Sequence, residues 1–231
     1  MTQYTAKAGV PYAELTDAPN MQTYAQGLAT VLDNQVIPKY ATVTDRNTAN
    51  PAPTPGDVCY CADTDALYVF IANSSWIFLY DKTIVKATDT VYTSTTSVVI
   101  DPHLQFPVEA SSKYRFAFTV FGTSASTTPD LNINFALPSG ASVTAGMVAP
   151  SPAATSFSDH TVNMNAQIDQ TAPATQVAGL GQSGTGTTVY VIGMVVTSSA
   201  GTFGIKNAQN VSSGSSITIQ AHSFVEYSKV G

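Results

Sequence analysis

The chain has 231 residues, a formal net charge of −6 and only 10% charged residues, against roughly a quarter in an ordinary soluble domain. Its 9 Lys and Arg residues nowhere cluster, so the electrostatic footprint of a nucleic-acid binder is missing. No stretch approaches the roughly 18 apolar residues of a membrane-spanning helix, and the length accommodates one large β domain or two smaller ones.

Residues 1–19, "MTQYTAKAGVPYAELTDAP", hold Pro11 and Pro19 and no sustained periodicity. They read as an extended arm. The stretch lacks the basic-then-apolar order of a secretory leader, so the expectation is a soluble protein made in a cytoplasm that would leave a cell by another route. Asn20 is a candidate N-cap. Met21, Ala25, Leu28 and Leu32 then follow in steps of four, three and four, the a/d spacing of a coiled coil held for less than two heptads. Gln35 breaks the register and Pro38 ends the helix. A helix this short is marginal alone in water. It could pack on its own β domain. Its place between an arm and a small unit favours self-association through those four residues.

Residues 39–82 read as a small β unit. "NPAPTPGD" supplies turns, "VCYCA", "ALYVFIA" and "WIFLY" supply strands, and "NSS" links the last two. Tyr60, Tyr68 and Trp76 are the expected core of this neck. Trp76 could instead stack on a sugar, but Ile77, Phe78 and Leu79 beside it favour the core. Cys59 and Cys61, at i and i+2 of a strand, share a face about 6.5–7 Å apart, at or past the limit of a relaxed disulfide. They read as two small buried thiols.

From residue 83 the signal is all β. "SVVID", "KYRFAFTVFG", "LNINFALP", "SVTAGMVAP", "TTVYVIGMVVTS", "GTFGIKNAQN", "SITIQAH" and "SFVEYSKV" are strand candidates separated by turn residues. Tyr114, Phe116, Phe118 and Val120 alternate with Arg115, Ala117 and Thr119, the period of a half-buried strand. "TTVYVIGMVVTS" is apolar on both faces and reads as a buried central strand. Segment 151–175 reads as a long exposed loop or paired surface strands. The predicted class is mainly β: an N-terminal arm and short helix (1–38), a small β neck (39–82) and an antiparallel, jelly-roll-like β-sandwich (83–231).

No constellation of catalytic, cofactor or metal-binding residues emerges. His103, His160 and His222 stand far apart, outside any metal-ligand spacing. The carboxylates beyond residue 83 are Asp89, Asp101, Glu109, Asp130, Asp159, Asp169 and Glu226. A glycosidase needs two at a defined separation, which spacing alone does not provide. "GLGQSGTG" lacks the Lys-Ser/Thr and helix of a phosphate loop.

The stretch "ATVTDRNTANPAPTPGDVCYCADTDALYVFIANSSWIFL" resembles a module of minor tail and fibre-type virion proteins of tailed bacteriophages, especially those infecting actinobacteria. Thr42, Arg46, Pro51, Pro53, Gly56, Tyr60, Asp63, Thr64, Leu67, Tyr68, Val69 and Trp76 carry the likeness. Gly9, Pro11, Tyr12, Leu28, Ala29, Val31 and Asp33 fit the arm that precedes the module in such proteins. "AGTFGIKNAQNVSSGSSITIQAHSFVEYSKV" is similar to their closing strands. The resemblance covers the first 80 residues and the last 30 or so; the paired cysteines depart from it.

The resemblance implies a homotrimeric virion structural protein, assembled in the host cytoplasm and released by lysis. Its N-terminal region would attach to other virion proteins of tail or capsid, and its C-terminal knob would be free to meet a host-surface glycan. A head fibre or capsid decoration protein is the nearest alternative. A polysaccharide-degrading tail enzyme would need a close carboxylate pair, and a carbohydrate-binding module would show exposed coplanar aromatics. Neither a cofactor, a nucleic acid nor insertion into a membrane is expected.

Overall fold

The computed structural model describes residues 3–4, 11–12, 26, 36–126, 128–151, 162–180 and 186–231. The helix residues Met21, Ala25, Leu28 and Leu32 lie outside the described residues. In the arm, β1 (Gln3–Tyr4) pairs antiparallel with β2 (Pro11–Tyr12).

The neck is a four-stranded sheet and a short helix. β3 (Lys39–Tyr40) runs parallel to β4 (Val58–Cys61), which continues antiparallel into β5 (Ala66–Ile71) and β6 (Ser75–Phe78). The three expected strands are all present. The helix α1 (Val43–Ala49) is an addition to the expected elements. Its start is a reciprocal capping box. Thr42 Oγ1 accepts from the Asp45 N–H, and Asp45 Oδ2 accepts from the Thr42 N–H, each at 3.0 Å.

The rest is a β-sandwich of two antiparallel sheets. The larger contains β7 (Lys82–Val85), β8 (Thr90–Tyr92), β10 (Ser112–Ser124), β12 (Ser142–Pro150), β13 (Val162–Gln170), β15 (Thr187–Thr197), β17 (Ile217–Ile219) and β18 (Phe224–Lys229). The smaller has the order β14 (Gln176–Ala178), β11 (Leu131–Ala136), β16 (Gly201–Gln209), β9 (Val99–Val108). Of the segment expected as loop or surface strands, 162–170 is the edge strand β13, paired on β12.

β10 organises the larger sheet. Over its 13 residues it pairs with β15 on one side, from Ser112↔Thr197 to Gly122↔Thr187. On the other side it pairs with β18 in its first half and β17 at its end. The inner faces of the sheets meet at Phe203, which is fully buried. Its ring centroid lies 4.8 Å from Phe116, 5.4 Å from Phe106 and 5.7 Å from Phe135. Phe106 also stacks on Tyr227 at 3.9 Å. Tyr114, Phe118 and Val120 complete the expected inward row of β10.

β15 is central by pairing, as expected, but buried on one face only. Val189, Val191 and Val195 point into the core, while Tyr190, Ile192, Met194 and Val196 are 50, 59, 39 and 38% exposed. The smaller sheet covers one side of the larger one, and a strand pleated with period two presents every other side chain to the uncovered side.

Candidate functional site

The neck and the sandwich meet around an ionic cluster of two buried cations on a half-buried carboxylate. The capping box fixes where α1 begins, and α1 carries Arg46 inward, 1% exposed. The guanidinium carbon lies 4.6 Å from the Tyr68 ring centroid and 4.8 Å from that of Trp76, within cation–π range. Arg46 Nη2 reaches Glu109 Oε2 at 3.6 Å, across the junction, and its Nε and Nη2 donate to Asn47 Oδ1. Lys229 Nζ donates to Glu109 Oε2 at 2.9 Å, and Tyr68 Oη donates to Glu109 Oε1 at 2.9 Å. One carboxylate thus serves two cations and a phenol. Burial, helped by the Glu109 carboxylate, raises the Tyr68 phenol far above its ordinary range. Burial lowers the Lys229 ammonium, and Glu109 opposes that shift. Phe78 extends the junction, its ring 6.1 Å from Tyr114 and 6.0 Å from Tyr227 of the sandwich.

Of the expected neck core, Tyr68 is fully buried and Trp76 is 8% exposed. With Arg46 over its ring and Phe70 packed edgewise at 5.3 Å, Trp76 is no open platform for a sugar. Tyr60 lies on the other face of its strand, partly exposed, and its hydroxyl donates to Asp65 Oδ1 at 2.6 Å. The inward positions of β4 belong to Cys59 and Cys61, both buried and free. The Cys61 thiol shares its proton with the Cys59 sulfur, which lowers the pKa of Cys59 and raises that of Cys61.

Several described carboxylates beyond residue 83 have structural partners. Asp101 forms a fully buried pair with Lys86 at 2.8 Å. Asp89 accepts from the Ala221 N–H, and Asp169 from Thr144 Oγ1. Asp130 is buried, and its carboxyl is raised to about 6 by desolvation despite the Leu180 N–H directed at it. His160 and Asp159 lie outside the described residues. Among the described residues no three His, Cys, Asp or Glu side chains gather as metal ligands.

Several loops of the sandwich come together at one end. Leu180 packs against Gly122, the Gly179 N–H donates to the Pro150 carbonyl, and the Asn210 N–H donates to that of Asp130. The Ala125 N–H reaches the Ser216 carbonyl. Residues 122–126, 128–130, 150–151, 179–180 and the unanticipated loop 210–216 therefore share one end of the sandwich. They sit at the far end of β10 from Tyr114 and the neck. Thirteen residues at a strand's rise separate the ends by about 40 Å.

The outer face of the larger sheet carries an open groove of about 660 Å³, lined by Thr144, Gly146, Ile192, Ala117, Arg115 and Glu226 among others. Register places Gly146, Ile192, Ala117 and Glu226 in one row across four strands. Arg115 pairs with Asp81 at the rim, both side chains largely exposed.

No family model matches the chain, and no curated protein matches it. Among solved structures, the VP2 subviral particle of infectious bursal disease virus aligns at 13% identity and a TM-score of 0.19, over 78% of this chain and 49% of that one. The Gx strain of the same virus aligns at 12% and 0.18, over 65% of this chain and 40% of that one. The chain spans about half the length of these proteins or less. A superposition this loose says nothing of what the chain does.

Proposed function

We propose that the chain is a structural protein of a bacteriophage virion, a homotrimeric minor tail or fibre protein that attaches through its N-terminal region and carries a non-enzymatic β knob. The supporting observation is the polarity of the sandwich. The neck, which follows the arm, is locked by Arg46, Glu109 and Lys229 to one end of β10, and the loop cluster occupies the other. Such a body holds its N-terminal side toward a particle and its loops away from it. The sequence resemblance of residues 41–80 and of the closing strands points the same way. The loops are rich in Ser, Thr, Gly and Asn and poor in charge. They suit a glycan bound through hydroxyls and amides, with three weak sites reinforcing one another.

The test is gold-labelled antibody against the knob on intact particles. Label at the tail tip or baseplate supports the reading. Label over the capsid makes this a head fibre or decoration protein instead. Particles that never label overturn a virion role. Release of reducing sugar from host envelopes by the purified protein would overturn the non-enzymatic knob.

A further inference from the structure

An antiparallel sheet with one face in solvent normally alternates apolar-in with polar-out. The outward residues at the centre of the larger sheet break that rule. Tyr190, Ile192, Met194 and Val196 of β15, with Val148 of the adjoining β12, are between 38 and 59% exposed. β15 is paired on both sides, by β10 and β12, so this is the middle of the sheet and not a frayed edge.

We infer that this face is where copies of the chain meet, each contributing the β15 stripe and the groove beside it. Area is the first argument. Taking about 200 Å² for a fully exposed aromatic side chain and roughly two thirds of that for an aliphatic one, the five residues present on the order of 350 Å² of apolar surface. A standard interface takes about 800 Å² from each partner, somewhat more than half of it apolar. The stripe supplies most of that apolar share, and the groove beside it, lined by Gly146 and Ala117, adds to it.

Shape and charge select a second copy as the occupant. Gly146 and Ala117 flank Ile192 and leave the groove of about 660 Å³ next to protruding side chains. The same face thus offers both knobs and a hole, so that the protruding side chains of one copy can seat in the groove of the next around a closed ring. Its rim holds both signs, Arg115 and Lys113 against Asp81 and Glu226. Each copy carries a net charge of −6, so copies repel over most of their surface. A locally balanced patch is where they approach most readily. The trimeric reading above supplies only the stoichiometry. The location follows from the sheet, and it adds a contact in the knob to any made by residues 21–32.

Ile192→Glu with Met194→Glu tests this on the full chain. Both positions are exposed in one copy, so the single-chain fold should survive and circular dichroism should not change. Burying these carboxylates should raise the dissociation constant about a thousandfold. Sedimentation at micromolar concentration should then find trimers of the natural chain and monomers of the variant. Val91→Glu, at another exposed apolar position on β8, should remain trimeric. A conservative Met194→Cys guards against misfolding. Cys59 and Cys61 are buried, so maleimide should react with the thiol at position 194 only after dilution dissociates the protein. A double-Glu variant that stays trimeric, or a Met194→Cys protein that labels at once as a trimer, overturns the location and leaves the trimer itself standing. A natural chain that sediments as a monomer at that concentration overturns both.

Discussion

Glu109→Gln isolates the charge that joins neck to sandwich. The amide keeps the shape and still accepts from Tyr68, but Arg46 and Lys229 lose the anion now 3.6 and 2.9 Å away. Their side chains are 2 and 6% exposed, so solvent does not replace it. Removing one partner of such a cluster costs about 3–5 kcal/mol, a large part of the roughly 5–15 kcal/mol that holds a domain folded. For a chain of this size the melting temperature should fall by about 6–20 °C. Urea and thermal unfolding at one protomer concentration measure it, since association also shifts the midpoint. Lys229→Met is the informative partner. It leaves Arg46 and Glu109 as a neutral pair and removes an ammonium that burial already disfavours, so it should cost about 1 kcal/mol or less. With Glu109→Gln added, only one buried cation is unpaired, and the double variant should be more stable than the two losses summed by about 1–2 kcal/mol. If Glu109→Gln costs under about 1 kcal/mol, or the two losses add within about 0.5 kcal/mol, the cluster is not what couples the two parts.

Three further outcomes follow. Phe203→Ala removes the ring on which Phe106, Phe116 and Phe135 converge and should cost about 3–5 kcal/mol by urea unfolding. Thr42→Ala breaks the capping box of α1 and should cost about 1 kcal/mol, read by the same assay. Asp130, raised from 3.8 to about 6 by burial, binds its proton in the folded state but not the unfolded one between those values. Stability should therefore fall as pH rises through that window, by at most about 3 kcal/mol. Asp130→Asn should flatten the urea midpoint across that window and raise it at neutral pH; an unchanged profile would refute the buried carboxyl as its source.

Much of the sandwich is legible in the sequence because period two survives in single strands: Tyr114, Phe116, Phe118 and Val120 are all inward. What escapes does so for local reasons. α1 has seven residues, too few to show a helical period, although Thr42-x-x-Asp45 is the signature of its cap. β9 runs on through Pro102 and Pro107, which read as interruptions. It lies at a sheet edge, where a missing N–H costs no ladder bond. Tyr60 is expected in the core because it is aromatic, but register gives the inward positions to the smaller Cys59 and Cys61, which leave room for Arg46. The junction itself joins residues 46, 109 and 229, and nothing in their neighbouring sequence links them. The apolar outer row of β15 is visible as composition, but only the count of layers distinguishes a covered face from a free one.

The placement of charge bears on how such a body is used. Among the described residues two ion-paired sets are withdrawn from solvent: Lys86 with Asp101, and Arg46 and Lys229 with the half-buried Glu109. Buried pairs stabilise weakly against well-packed apolar residues of similar volume, but they punish any rearrangement that separates them. Here one of them sits at the junction between neck and knob. A neck that merely touched the sandwich through Phe78 could slide. One in which Arg46 must stay beside Glu109 cannot move without leaving a charge unpaired. Rigidity at that end and hydroxyl-rich loops about 40 Å away are complementary: the first fixes the direction in which the second point. In the role proposed above, fixed direction matters more than single-site strength, because linked sites reinforce one another only when geometry lets them engage together.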